Sequence, residues 1–182
     1  MGAMHAKRSA VERRPLAKRV ALIRIIFGLI WAVDAWLKWQ PGFAAGFKDS
    51  IVEGAKHQAA FLKPWFDFWI HAASINPPLM ASLTALLETL IAISLVFGLA
   101  RRPMYIVGFV YSLLIWATAE GFGGPYTAGA TDLGTAITYA VVFALLFLVD
   151  DLAGRSPLAI DSWIERRVPW WARVARMPPE TG

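Results

Sequence analysis

The sequence predicts an all-α integral membrane protein: a four-transmembrane-helix bundle with an interfacial amphipathic helix between helices 1 and 2. Composition is the first indication, because 57% of the 182 residues are hydrophobic, 17% are charged and the mean hydropathy is +0.50. The second is a set of apolar runs longer than a soluble core helix needs. The third is the concentration of basic residues in alternate connections. These observations argue against a soluble globular domain.

Four apolar windows meet the length of about twenty residues that a membrane-spanning helix needs, the third being short and expected to be extended by its flanks. The first follows a basic segment, as a signal peptide does, but it is too long and contains Asp34 and Lys38, so an uncleaved span is expected. The chain then divides into a basic N-terminal segment (1–19), a transmembrane domain (20–150) and a basic, Trp-rich C-terminal segment (151–182). The windows are Val20–Gln40, Pro78–Ala100, Met104–Ala119 and Leu133–Val149.

The net charge of +5 follows the positive-inside rule and not the pattern of a nucleic-acid-binding surface. It predicts a multi-pass protein of the cell (plasma) membrane, surrounded by the lipid bilayer, with both termini cytoplasmic and no nucleic-acid partner. Arg24, one turn inside the first span, is expected to extend its guanidinium to the same surface. The residues assigned to the cytoplasmic side are Lys7, Arg8, Arg13, Arg14, Lys18, Arg19, Arg101, Arg102, Arg155, Arg166, Arg167, Arg173 and Arg176.

The connection from Pro41 to Pro77 is long, and its second half is not polar. Apolar residues recur there at helical spacing, which predicts an amphipathic helix at the outer membrane interface, and a fifth span is the alternative. The C-terminal segment, with tryptophans among arginines, predicts a second interfacial piece on the inner side. The apolar face of the outer amphipathic helix consists of Phe61, Leu62, Trp65, Phe66, Trp69 and Ile70, opposite Lys63, Asp67 and His71.

Small residues indicate how the spans pack, because they let helix backbones approach where lipid provides no hydrophobic drive for association. Each window carries a set at helical spacing, so a four-helix bundle is expected. The sets are Gly28, Ala32 and Ala35; Ala81, Ala85, Thr89 and Ala92; Gly108 and Ser112; and Gly134, Ala136, Thr138, Ala140 and Ala144.

Residue types limit the available cofactors. The absence of cysteine excludes disulfides, thiol catalysis, iron–sulfur clusters and c-type haem attachment. The histidines, His5, His57 and His71, fall outside the windows, which argues against a bis-histidine haem and against a metal site. Any electron chemistry must use another carrier.

Glu88 stands alone in the middle of the second window, which is otherwise uncharged. An ionisable group at that depth costs about 2.5–3.5 kcal/mol on insertion scales and is usually retained for a partner, a proton or a substrate. One interpretation is a protonated carboxyl bonded to a neighbouring helix. The other is a proton acceptor or a polar contact for a quinone head group.

Asp34 and Lys38 are one helical turn apart in the outer third of the first window, so an ion pair is expected. The pair either neutralises itself near the interface or forms a mouth that binds an anion or passes a proton. Glu120 and Asp132 fall at the same depth on other helices. Asp132 also suits a helix cap, and Glu120 suits a solvated helix end. The candidate catalytic residues are Asp34, Lys38, Glu88, Glu120 and Asp132.

A glycine-rich run joins the third and fourth windows. It lacks the ending of a phosphate loop and a preceding strand, which argues against nucleotide binding. Backbone N–H groups freed by glycines could still hold a small oxyanion. The candidate substrate-binding residues are Gly123, Gly124, Tyr126 and Thr131.

The same run, from Ala119 to Thr127 and on through Thr131–Thr135 to Tyr139, resembles the DoxD-like branch of the DoxX family. The likeness extends over residues 20–150. It implies a small four-helix membrane subunit, and in the name-giving members that subunit works with a second one, DoxA, to pass electrons from thiosulfate to quinone. The first window is similar as well, in Arg24, Gly28, Leu29, Trp31 and the section from Asp34 to Lys38.

Three functions are weighed on this basis. The first is the membrane subunit of a thiosulfate:quinone oxidoreductase, with quinone as electron acceptor and a DoxA-like or other redox subunit as partner. The second is a non-catalytic anchor or assembly subunit for a redox partner. The third is passage of a small solute or protons, which is disfavoured because no internal repeat is visible. Whether the chain also forms a homo-oligomer is left open.

Overall fold

The computed structural model describes residues 2–126, 128, 132–153, 156 and 158–175. Those residues form helices, short 3₁₀ turns and connections, without a β-strand, so the all-α prediction is confirmed for them. The α-helices are α1 (Gly2–Lys38), α2 (Pro41–Gly54), α3 (Lys63–Ile75), α4 (Pro77–Phe97), α5 (Arg101–Ala117), α6 (Thr135–Ala153), α7 (Asp161–Arg167) and α8 (Trp171–Ala175). The 3₁₀ turns are Ala60–Leu62 and Gly121–Gly123.

The four predicted windows are helical and correspond to α1, α4, α5 and α6. By length and composition, Pro15–Lys38 and Pro77–Phe97 can cross a membrane, and Thr135–Asp150 is apolar but shorter. These two long apolar helices suggest a membrane protein.

Local sequence sets the ends of α4. Asn76 precedes it and accepts a hydrogen bond from the Leu79 amide at 3.2 Å, while prolines occupy the first turn, where no amide donor is needed. The helix ends at Gly98, whose φ of +65° lies in the left-handed region that favours glycine. The chain can therefore turn sharply into α5.

The core lies where α1 packs along α4 and α5 packs along α6. An aromatic cluster fills its centre: the Phe143 ring lies 5.0 Å from that of Phe27 and 5.4 Å from that of Trp31, edge to face in both cases. Tyr139 packs against Trp31 at 5.7 Å between ring centroids. Edge-to-face rings of this kind add packing specificity to their apolar burial.

The predicted small residues do face neighbouring helices. Gly28 of α1 lies against Leu95 and Val96 of α4, and Gly108 of α5 lies against the Phe143 ring. Gly134, which precedes α6, and Thr138, which is exposed, are the exceptions. The other predicted small residues that are buried are Ala35, Ala81, Ala85, Ala92, Ser112, Ala136 and Ala140.

Gly28→Ala is expected to lower the free energy of unfolding by about 1–3 kcal/mol, because the new methyl overpacks the contact between α1 and α4. An added Cβ would lie 2.8 Å from both Leu95 Cβ and the Val96 backbone nitrogen. The measurement is thermal unfolding in detergent. Gly46→Ala in α2 is the control, since a Cβ there meets nothing within 4 Å. Unchanged unfolding of Gly28→Ala would contradict the close packing.

Outward surfaces of the four core helices are apolar. Large aliphatic and aromatic side chains are exposed along all of them, and a contiguous surface of that kind requires cover by lipid or protein. They include Leu22, Ile26, Leu29 and Val33 on α1; Leu83, Leu86 and Leu90 on α4; Ile106, Phe109 and Val110 on α5; and Val141, Leu145 and Leu148 on α6.

The connection between α1 and α4 contains one more helix than predicted. Its first half forms α2, whereas the sequence analysis treated that stretch as loop. Its second half forms α3, the expected amphipathic helix, with Phe66 buried and Lys63 paired with Asp67 at 2.6 Å. Trp65 Nε1 anchors α3 by donating to Ala117 O at 2.7 Å. The interfacial position of α3 stays a prediction.

The C-terminal segment docks on the turn between α4 and α5. Asp161 is fully buried there and accepts hydrogen bonds from the amides of Ala100 and Arg101 at 2.8 and 3.0 Å. It also accepts from Arg101 Nε at 3.2 Å and Trp171 Nε1 at 2.9 Å. Arg101 Nη1 in turn donates to both carboxylate oxygens of Asp150. We call Arg101, Asp150, Asp161 and Trp171 the C-terminal clasp.

Arg24 does not extend to the surface, and that expectation is wrong. Its side chain is 1% exposed and donates to Leu95 O at 2.7 Å and to Leu158 O at 2.6 Å. The guanidinium thus satisfies carbonyls near the end of α4 and in the docked C-terminal segment. Arg101, assigned to a basic loop, is likewise fully buried, because the clasp supplies carboxylates that neutralise it.

Candidate functional site

A cavity of about 610 Å³ lies inside the bundle. Side chains of α1, α4, α5 and α6 form its walls, and α2 and α3 complete them through residues such as Phe47 and Trp69. The lining is mainly aliphatic and aromatic, with a small group of charged and hydroxyl-bearing side chains. This combination of an apolar wall and few polar groups is typical of small-molecule sites.

The charged group of the cavity is centred on Lys38. Its ammonium nitrogen lies 3.4 Å from Asp34 Oδ1 and 3.6 Å from Glu88 Oε2. Tyr111 donates its hydroxyl hydrogen to Glu88 Oε1 at 2.9 Å. We call Asp34, Lys38, Glu88 and Tyr111 the Lys38 cluster. It joins α1, α4 and α5 around one ammonium group.

Burial increases steadily along this cluster. The side chain of Asp34 is 33% exposed, that of Lys38 is 21% exposed and that of Glu88 is 1% exposed. The expected pair of Asp34 and Lys38 is therefore present, but it continues inward to Glu88. From its place in the second window Glu88 is expected in a deeper layer, separate from Lys38, but the two are in contact because α1 and α4 pack side by side.

Two indole N–H donors of the cavity lack an acceptor among the described residues. They are Trp31 Nε1 and Trp69 Nε1, and both are buried. Buried donors of this kind are nearly always satisfied in proteins, by protein groups or by water. Both residues line the cavity, so a bound molecule with acceptor oxygens could satisfy them.

Glu120 lines the cavity too, yet its carboxylate is engaged in holding α6. It accepts from the amide of Thr135 at 3.2 Å and from that of Ala136 at 3.0 Å. Asp132, which was expected to cap this helix, instead accepts from the Gly134 amide at 2.8 Å, is exposed and does not line the cavity. The cap comes from the preceding helix end because the chain folds back between α5 and α6.

The glycine-rich run also differs from its predicted role as an anion cradle. The amides of Gly123 and Gly124 donate to Glu120 O at 2.8 Å and to Gly121 O at 3.1 Å, so neither is free for an oxyanion. Tyr126 is exposed and its hydroxyl donates to Phe122 O. None of the three lines the cavity. Thr131 lies outside the described residues.

Glu120→Ala is expected to destabilise the protein by about 1–2 kcal/mol, because two amides at the start of α6 lose their acceptor. Asp132→Ala is the matched control, since its carboxylate is exposed and, among the described residues, accepts from the nearby Gly134 amide and not from an amide of α6. Thermal unfolding in detergent measures both. Equal effects of the two substitutions would contradict the assignment of the cap to Glu120.

Sequence reasoning thus identified four of the cavity's residues and missed its aromatic ones. Asp34, Lys38, Glu88 and Glu120 were identified. Tyr111, Trp31 and Trp69 were not, although a hydroxyl or indole N–H within an apolar helix needs a partner and is a usable signal.

No protein-family model, curated protein or solved structure matches the chain. The resemblance to the DoxX family stays a prediction, and function must be argued from the cavity.

Proposed function

We propose that the chain is a four-span subunit of a quinone-linked oxidoreductase of the plasma membrane, and that its cavity binds the quinone head group. The observation that carries the proposal is the partly open cavity, whose apolar walls surround the Lys38 cluster and two indole donors that find no acceptor in the part of the chain that the structure describes. The following features support it.

The membrane topology is supported by the outward surfaces of the core helices. Lipid is the simplest cover for apolar side chains exposed on α1, α4, α5 and α6 alike. The basic residues in the N-terminal part of α1 and in α7 favour cytoplasmic termini under the positive-inside rule. A ligand that is itself dissolved in the bilayer could then reach the cavity from between the helices.

The chemistry of the cavity suits a quinone. Its volume falls within the roughly 300–1,000 Å³ common for small-molecule sites. The aromatic residues Trp31, Phe43 and Tyr139 can contact a flat ring, and the aliphatic residues of α4 and α5 can contact an isoprenoid chain. Quinone carbonyl oxygens are acceptors, and the indole N–H groups together with the Lys38 ammonium provide donors.

The electrons are proposed to come from a partner subunit. Two thiosulfate ions join through a new S–S bond to give tetrathionate and release two electrons, and the quinone takes up those electrons with two protons to become hydroquinone. Lys38 stands between Asp34 and Glu88, an environment that repels a dianion. We therefore assign sulfur-anion oxidation at the outer face to a DoxA-like or other redox partner.

Quinone binding can be tested with two tryptophans of α3. Trp69→Phe is expected to weaken binding of decylubiquinone about fivefold, because one hydrogen bond of about 1 kcal/mol is lost. Trp65→Phe is the matched control, since Trp65 Nε1 donates to Ala117 O and does not line the cavity. Isothermal titration calorimetry on detergent-purified protein provides the measurement. The proposal is wrong if the wild type binds no quinone, and such a result would favour an anchor subunit.

A further inference from the structure

We infer that the Lys38 cluster is a proton route into the cavity, in which Lys38 protonates the reduced quinone and Asp34 replaces that proton from the water outside. The inference rests on the proposed function, since it needs a quinone in the cavity. It goes further by stating where protons enter, in which order they pass between side chains and which side chain donates them to the quinone.

Geometry sets the direction of the route. Among the three charged members of the cluster, Asp34 is the most exposed and Glu88 the most buried, and Lys38 lies between them within 3.6 Å of both. Asp34 and Lys38 are one turn apart on α1, so the same helix holds the entry group and the donor in register. A proton taken up at Asp34 can thus pass to Lys38, which lines the cavity.

The transfers balance as follows. Reduction by two electrons turns the quinone carbonyl oxygens into anions, and an N–H bond of the Lys38 ammonium breaks as a new O–H bond forms on one of them. The Asp34 carboxylate then takes a proton from water at the mouth and passes it to the neutral amine, which restores the ammonium and the carboxylate. A second passage along the same groups supplies the other oxygen, so two protons enter for two electrons and the cluster returns to its starting charge.

Glu88 and Tyr111 are positioning residues in this scheme. Glu88 holds the ammonium from the buried side, and the Tyr111 hydroxyl fixes the carboxylate of Glu88. The other ionisable residues of the cavity have different partners. Glu120 is bonded to the amides that begin α6, and Tyr139 packs on Trp31.

The test uses the full chain in detergent, loaded with decylubiquinone, on an electrode that supplies the electrons. Asp34→Asn is expected to slow proton-coupled reduction by about 100-fold, the scale of one positioned acid–base group. The slowing should grow with rising pH, because protons must then come from bulk water. Added formic acid should restore the rate, and Asp34→Glu should retain it. Asp67→Asn is the matched control, since Asp67 forms the same i, i+4 pair with Lys63 on the exposed side of α3.

The outcomes separate the two proposals. No decylubiquinone binding by the wild type overturns the proposed function and the route together. Binding by the wild type and Asp34→Asn alike, with equal reduction rates at every pH, overturns the route alone. A slow Asp34→Asn that formic acid does not restore assigns Asp34 a structural role and also overturns the route. Rescue by both formic acid and Asp34→Glu supports it.

Discussion

Asp161→Ala is expected to lower the free energy of unfolding by about 3–5 kcal/mol, the cost of removing one partner of a buried ion pair. Arg101 and Asp161 are both fully buried, so the guanidinium would lose a carboxylate without gaining water. The backbone amides of Ala100 and Arg101 and the Trp171 indole would lose their acceptor as well. Thermal unfolding in detergent, followed by circular dichroism, measures the change.

Two variants show whether the clasp is the cause. Asp161→Asn keeps an acceptor oxygen of similar position and should cost less than Asp161→Ala. Asp67→Ala, which removes a carboxylate from an exposed pair, should change stability by less than about 1 kcal/mol. If Asp161→Ala unfolds like the wild type, the C-terminal segment is not held as described.

Lys38→Met is the second large effect that we expect, at about 3 kcal/mol or more of lost stability. The substitution leaves the Glu88 carboxyl, which is 1% exposed, without its ammonium partner. Combining it with Glu88→Leu removes both charges and should restore much of the loss. The double-mutant cycle measured by thermal unfolding therefore gives a coupling between Lys38 and Glu88.

The same variants should separate stability from binding. The double variant Lys38→Met/Glu88→Leu should be folded but should bind decylubiquinone more weakly than the wild type, because the cavity has lost its charged donor. Additive losses of stability, with no coupling between the two sites, would show that the two side chains act independently. Lys63→Met on α3 is the matched control, since its partner Asp67 is exposed.

The helices of the core could be predicted from sequence because each coincides with a long apolar run. The second window, Pro78–Ala100, differs from α4 by only a few residues at its end. Small residues also indicated which sides pack together, as Gly28 and Gly108 show. Helix α2 was not predicted, because its proline and glycines, Gly42 and Gly46 among them, are typical of loops. It is also too short to be recognised by hydropathy.

The arrangement of the site could not be predicted in the same way. Whether Glu88 meets Lys38 depends on the rotation and axial offset of α4 against α1, and one sequence carries no measure of either. The burial of the two arginines could not be predicted from the sequence either. Counting Arg101 as a loop charge and expecting Arg24 to extend to the surface were reasonable by composition, but their burial depends on a carbonyl and a carboxylate from the segment after α6.

The C-terminal clasp has a consequence for the order in which the protein assembles. Asp161 lies 60 residues after Arg101, so a chain made from its N-terminus carries Arg101 long before this carboxylate exists. A polypeptide that ends before Asp161 would expose an arginine at a helix junction whose charge is only partly neutralised. Cellular quality control can recognise such a feature. The docked segment thereby makes completion of synthesis a condition of stability.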